Sequence, residues 1–366
     1  MKNTFGTSVS VTLFGESHGA YIGAVLDGMA AGIPVDIEYI KSRLALRRPA
    51  GKISTARSEA DELTIVSGVF NGCTTGTPIC ILIPNQNTKS EDYTGKSRLA
   101  RPSHADYSAY LKYHGFEDYR GGGHFSGRLT AALVAVGAIA ESALKAKGIY
   151  IGTHIKRLAG INDRAFENIR DDITKLADMP FGVLDEGKGS EMREAVLKAA
   201  EEGDSVGGVL ETAVVGMPGG VGEPWFDTLE SQLAHILFSI PAVKGVEFGK
   251  GFAIADDKGS TANDALRMVD GRAVSLTNNN GGINGGISNG MPIIVRTAVK
   301  PTPSIFKPQE TVDFIQGKNE TLVIKGRHDP AIVHRARVVA DAAVALALCD
   351  ALALRFGTDW LRSDSI

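Results

Sequence analysis

Cysteine is scarce: Cys73, Cys80 and Cys349 are the only three in 366 residues, an odd number without metal-ligand spacing. This argues against a disulfide scaffold and a cysteine metal centre; reduced, buried thiols and no metal are expected. Long apolar runs are missing too. The longest, Leu129 to Ala140, falls short of the ~20 residues that cross a bilayer, so no membrane partner is expected. The opening residues, MKNTFGTSVSV, have no apolar signal core, and the expected location is cytoplasmic. Positive charge is not in excess. A net charge of −3 gives no reason to expect a nucleic-acid partner. G-x-G-x-x-G is absent, which removes support for a Rossmann dinucleotide site.

Glycine is plentiful, at 43 residues, so many turns and close backbone approaches are expected. Strand-like runs, mostly β-branched and bounded by Gly or Pro, fall at 8–14, 62–70, 78–83, 149–157, 207–215, 243–254, 292–299 and 319–325. Helical patterns cover 36–47, 104–114, 127–147, 191–202, 225–238 and 331–355. Strict strand–helix alternation is missing, which favours α+β layers over a doubly wound sheet.

The chain also repeats itself. A shift of 188 positions carries Gly15, Ser17 and Gly19 onto Gly203, Ser205 and Gly207. It also carries Gly28, Met29 and Gly32 onto Gly216, Met217 and Gly220. Further on, GTPICI at 76–81 is similar to GMPIIV at 290–295, and Gly72 matches Gly286. Arg128 and Arg337 each open an alanine-rich helix, ending near Gly148 and Gly357. The matches keep their order, so two similar halves related by a pseudo-two-fold are expected, packed as one body. His18 becomes Val206 in the second copy while Ser17 stays serine, which shifts chemical interest from the serine to the histidine.

The segment FGESHG at 14–19 contains the G-x-S-x-G of a nucleophile elbow. An elbow needs a helix directly after it, whereas AYIGAVLDGMAAGIP follows, with three glycines and Pro34. A turn is the better reading. The segment at 90–97, SEDYTGKS, ends like a phosphate loop but has Ser90 where the first glycine must stand, and reads as surface. Arginines gather at Gly, Pro and His turns: Arg47 and Arg48 before Pro49, then Arg57, Arg101, Arg120, Arg128, Arg327 and Arg335. Any one reads equally well as a solvated surface residue. Together they suit an anionic ligand, because guanidinium binds carboxylate and phosphate in a bidentate manner. His104 lies beside Ser103, which is expected to cap a helix with Asp106 in its first turn.

Eight segments in order, FGESHG, RRP, RPSHADY, YRGGG, SIPAVKG, GGINGGISNG, KPTPSI and GRHDP, resemble the chorismate synthase family from residue 14 to 330. The resemblance implies a single domain over 1–366 built as a β-α-β sandwich with an internal pseudo-two-fold repeat, the halves running about 1–150 and 151–366. It also implies a homotetramer and a 1,4-anti elimination of phosphate from 5-enolpyruvylshikimate 3-phosphate to chorismate, a step of the shikimate pathway. Reduced FMN is required, although substrate and product do not differ in redox state. NADPH as reductant and a separate flavin reductase are both compatible; the lack of a reductase-like segment favours the latter.

By the same resemblance His18 protonates the leaving phosphate, His104 serves the reduced flavin, and Asp329 assists proton removal. Substrate contacts fall to Arg47, Arg48, Arg57, Arg128 and Arg335. The flavin site takes His124, Phe125, Ser126 and Gly285, then Lys300, Pro301, Thr302, Pro303 and Ser304, with Arg327. His124 and Phe125 replace an Arg and a Ser of the common bacterial pattern, and Pro241 stands where an Asn is frequent. The loop after Arg48 has fewer basic residues than the family's usual version.

Overall fold

The computed structural model describes residues 3–49, 51, 53–54, 60–86, 99–324 and 328–362. Two five-stranded sheets, antiparallel in every pairing, enclose a layer of helices. The first sheet holds β1 (Thr4–Phe5), β2 (Ser10–Gly15), β3 (Tyr21–Asp27), β4 (Thr64–Ser67) and β5 (Ile79–Pro84), in the order β1-β2-β3-β5-β4. Alternation sets its inner face: in β5, Ile79, Ile81 and Ile83 are buried while Cys80, Leu82 and Pro84 are half-buried. The central strand β3 lies outside the strand-like runs read from sequence. Its Gly23 obscures the pattern, yet it pairs with Phe14, and a Cβ there would lie 2.3 Å from the Phe14 ring.

The second sheet holds β6 (Tyr150–Leu158), β7 (Ile161–Asn162), β8 (Gly208–Val215), β9 (Val243–Phe248) and β10 (Ile293–Val299), in the order β9-β10-β8-β6-β7. The strand expected over 243–254 stops at Phe248. Gly249 and Gly251, at φ 54° and 60°, turn the chain into a short 3-10 helix over 251–256. The mixture of helix and strand is α+β, as expected.

The helices are α1 (Ile37–Arg47), α2 (Asp106–Tyr113), α3 (Thr130–Ala146), α4 (Ile169–Leu176), α5 (Glu186–Glu201), α6 (Leu229–Ser239) and α7 (Val333–Phe356). Helix α3 touches β3, β5 and β6; α7 touches β6, β8 and β2; α1 packs on both helices and α6 on α7. The inner layer therefore faces both sheets. From Val333 to Ala353 every residue of α7 except Arg335 is buried, as an all-round apolar helix requires. The stretch Gly127–Ala146 is long and apolar enough to cross a membrane, but 78% of its apolar window is buried in the fold, so here it is a core helix. The expectation of buried thiols holds for Cys349; Cys73 and Cys80 are half-buried, and all three are free.

One turn occurs twice. Gly28 and Gly216 close β3 and β8 at φ 82° and 85°. The Thr74 hydroxyl accepts from Ile33 N–H at 2.9 Å and donates to the Ala30 carbonyl at 2.6 Å. The Ser288 hydroxyl accepts from Val221 N–H at 3.0 Å and donates to the Pro218 carbonyl at 2.6 Å.

Buried charge joins the helices. Arg43 of α1 donates to Asp341 of α7 at 2.5 Å and pairs with Glu141 of α3 at 3.1 Å. Glu141 also accepts from the Tyr39 hydroxyl at 2.7 Å, and Asp341 from the Thr153 hydroxyl at 2.5 Å. Burial, reinforced by the charge of Asp341, pushes the Glu141 carboxyl above its ordinary range despite the opposing pull of Arg43. Small side chains let α3 and α7 approach closely: a Cβ on Gly137 would lie 2.3 Å from the Ala342 Cβ. Gly137→Val should therefore destabilise the protein by ~1–3 kcal/mol through overpacking. Urea unfolding checks this; an unchanged midpoint would mean that the helices separate freely.

Candidate active site

The ends of the inner helices converge. Helix α1 ends in Arg47 and Arg48, the turn before α3 carries Arg128, and the first turn of α7 carries Arg335. They surround a cavity of about 860 Å³. The N-termini of α3 and α7 reach this cavity and favour anions there. Arg47 donates to Thr130 Oγ1 at 2.9 Å and to the Gly127 carbonyl at 3.2 Å. Arg128 donates to Asn85 Oδ1 at 3.0 Å and to the Pro84 carbonyl at 3.2 Å. Arg335 donates to the Arg47 carbonyl at 2.9 Å and to Asp329 at 2.5 Å. Between them lies Asp61, buried, paired with Arg47 at 3.4 Å, Arg48 at 3.6 Å and, by a shorter contact, Arg128. Sequence reading missed Asp61: it stands in SEADEL, an unremarkable acidic run.

Apolar side chains from both ends of the chain complete the lining, with Phe5, Val11, Leu13 and Leu133 from the earlier part and Ile236, Ile240, Val243, Ile332 and Val339 from the later part. His235 also lines the cavity, edge-on to Phe5 at 5.3 Å. Sequence reading assigned it no chemistry.

His18 lies in the hairpin between β2 and β3, buried, its ring against Gly121. A Cβ on Gly121 would lie 2.3 Å from the ring and 2.8 Å from Ser17 Oγ, so only glycine fits the wall at this point. Gly121 lines the cavity and His18 stands directly behind it. The Ser17 N–H donates to the Gly123 carbonyl at 3.1 Å. Two antiparallel strands flank the turn, so the elbow geometry of a serine hydrolase is absent.

His104 lines the cavity, its Nδ1 2.8 Å from Asp106 and 3.1 Å from Arg101 Nη2. Burial would raise the Asp106 carboxyl, but hydrogen bonds from Arg101 and His104 outweigh it and hold it well below the carboxylate range. An ionised carboxylate only accepts, so its contact places a proton on Nδ1. Ser103 does not cap α2 as expected. Its φ is 60°, Ala105 occupies the cap position, and the Ser103 carbonyl instead accepts from Lys300 Nζ.

The expected flavin contacts divide. His124, Phe125 and Ser126 line the cavity, His124 donating from Nδ1 to the Gly15 carbonyl at 2.8 Å. Lys300, Thr302, Pro303 and Ser304 line it as well, while Pro301 packs beside Gly207. Gly285 does not reach the cavity of this chain. Its neighbour Gly286 accepts from the first residue of α6, whose last turns line the cavity, roughly 15 Å away along the helix axis. Asp329 lines the cavity. Arg57, Arg327 and the segment 90–97 lie outside the described residues.

Fold and cavity together define an α+β protein whose cavity is lined by arginines and apolar side chains. The chorismate synthase profile matches residues 9–353. Chorismate synthase of Methanococcoides burtonii is 46% identical over 351 residues, covering 95% of each chain. That of Pyrococcus abyssi is 46% identical over 350 residues, covering 96% of this chain and 97% of its own. A crystal structure of chorismate synthase superposes with a TM-score of 0.77 at 31% identity, covering 97% of this chain and 94% of that one. The chain belongs to the chorismate synthase family, a family of enzymes.

One further histidine borders the site. His334 Nε2 lies 2.8 Å from Ser54 Oγ, and its ring stacks on Phe181. Burial, with the neighbouring Arg335, pulls its pKa down to about 4. The folded value lies below the ordinary 6.5, so the unfolded chain binds the extra proton first. Stability should be fully present above pH 6.5 and fall as pH drops toward about 4. Thermal midpoints across this window check it: His334→Gln should flatten the slope, and an equally steep slope would remove His334 as its source.

Proposed function

We propose that this chain is a carbon–oxygen lyase that removes phosphate from 5-enolpyruvylshikimate 3-phosphate by 1,4-anti elimination and yields chorismate for aromatic amino acid synthesis. The observation that carries this reading is the cavity itself, lined by Arg47, Arg48, Arg128 and Arg335 together with apolar side chains. Four guanidiniums against the carboxylates of Asp61 and Asp329 leave a positive excess for the phosphate and carboxylates of the substrate. Arg57 joins them on the strength of the family resemblance.

His18 acts as the general acid. Its ring packs against Gly121, which lines the cavity, and a proton delivered to the leaving group lowers the barrier. His104 orients toward the cofactor, its ring fixed by Asp106. Asp329 assists proton removal while paired with Arg335.

The residues present fit FMN. Thr302 Oγ1 is buried with no hydrogen-bond partner among the described residues, a donor suited to a bound polar group. Ser126, Lys300, Thr302 and Ser304 would hold the cofactor with Arg327, and Phe125 offers a ring face; His124 contributes through its free nitrogen. Reduced FMN, when bound, supplies the electron density that loss of a non-acidic hydrogen demands, without net redox change. NADPH-driven reduction by a separate flavin reductase accounts for its supply.

The chain is further proposed to be one domain of two duplicated halves. The third, fifth and fourth strands lie side by side in that order in both sheets, and this, with the paired Thr74 and Ser288 turns, supports the reading. A cytoplasmic homotetramer fits the exposure of Phe116, Trp225, Phe226 and Phe252, large apolar side chains that association would cover.

Anaerobic assays with dithionite-reduced FMN should show phosphate release from the substrate; none would sink this reading. His18→Ala should slow turnover by ~10²-fold or more. An unchanged rate removes His18 from the mechanism. Arg48→Ala should raise KM more than it lowers kcat, because this half-exposed arginine binds the ground state as well; a pure kcat effect contradicts that.

A further inference from the structure

Three of the cavity's arginines share a single carboxylate. Arg47 and Arg48 come from the end of α1 and Arg128 from the turn before α3, two segments that meet only in the folded chain. Asp61 divides its oxygens between them. Oδ1 accepts from Arg128 Nη1, while Oδ2 takes Arg47 Nη1 at 3.4 Å and Arg48 Nε at 3.6 Å. Its side chain is 1% exposed, those of Arg47 and Arg128 are 7% and 5%, and that of Arg48 is 32%. The carboxylate is therefore deep in the wall, and Arg48 is the member that offers most of its surface to a ligand.

The backbone at Asp61 is also unusual, with φ at 52°, the left-handed region that side chains other than glycine rarely adopt. Such a conformation persists only where surrounding structure enforces it.

Each deep arginine is fully occupied on its inner side. Arg47 is held at Thr130, Gly127 and Asp61; Arg128 is held at Asn85, Pro84 and Asp61. Without the carboxylate, three like charges would crowd one poorly solvated corner and move apart. With it, they keep one arrangement before any ligand arrives, and ordering costs on binding are reduced.

We propose that Asp61 is the positioning residue of the anion site: through Arg47, Arg48 and Arg128 it sets the affinity for the phosphate group while touching no substrate atom. The inference rests on the reading of these arginines as substrate ligands.

Inorganic phosphate binding, measured by calorimetry without turnover, tests it alongside steady-state kinetics on wild type, Asp61→Asn and Asp61→Glu. Asp61→Asn keeps the shape and removes the charge. It should weaken phosphate binding and raise KM at least tenfold, with kcat within threefold of wild type. A merely structural role would lower the active fraction, hence apparent kcat, and leave KM and phosphate affinity alone; that result overturns the proposal. Should Asp61→Asn fail to fold, Asp61→Glu decides. It retains the charge one methylene further out and should weaken phosphate binding by a smaller factor, whereas wild-type affinity overturns the proposal. A wild type that binds phosphate but releases none from the substrate would refute the proposed reaction and leave this test standing. A wild type that binds no phosphate refutes Asp61's role.

Discussion

The buried ion cluster of Arg43, Glu141 and Asp341 is the constraint on which the cavity depends. It ties α1, α3 and α7 to one another in the middle of the sandwich. The same helices carry Arg47, Arg48, Arg128 and Arg335 at or next to their ends. Register in the core is thus converted into the positions of guanidiniums at the surface of the cavity. Burying three ionisable groups is costly unless every one is matched. The Tyr39 hydroxyl donates to Glu141 and the Thr153 hydroxyl to Asp341, and burial holds the Glu141 carboxyl above its ordinary range.

The cavity draws on both parts of the chain. The earlier part contributes Arg47, Arg48, Asp61, His104 and Arg128, with His18 against Gly121, and the later part contributes Asp329, Arg335 and the Lys300–Ser304 segment. Both add apolar side chains to the lining. Lys300 crosses back to the His104 turn through the Ser103 carbonyl, so the two contributions are physically joined. Arg337, which opens the other alanine-rich helix, is buried and donates to the Leu176 carbonyl at 3.0 Å, so it serves the core rather than the cavity.

Much of this was legible in the chain itself. The core helices and most strands follow from apolar periodicity, and the matching glycines mark turns whose positive φ recurs at Gly28 and Gly216. Local patterns, however, speak only for local forces. Ser103 has the composition of a helix cap, but a lysine 197 residues away claims its carbonyl and the helix starts later. Gly23 looks like a break in β3, yet it makes room for Phe14 across the pair. Asp61 carries no motif, because its significance arises from partners 14 and 67 residues distant.

By itself, then, the sequence determined which chemical groups are available and where the chain turns: the arginines at Gly and Pro boundaries, the histidine that the second repeat lacks, the apolar helices. Tertiary structure alone decided which of those groups meet. Charge pairing and close packing act through space, and the burial that makes Asp61 and Glu141 consequential exists only once the helices have closed on each other.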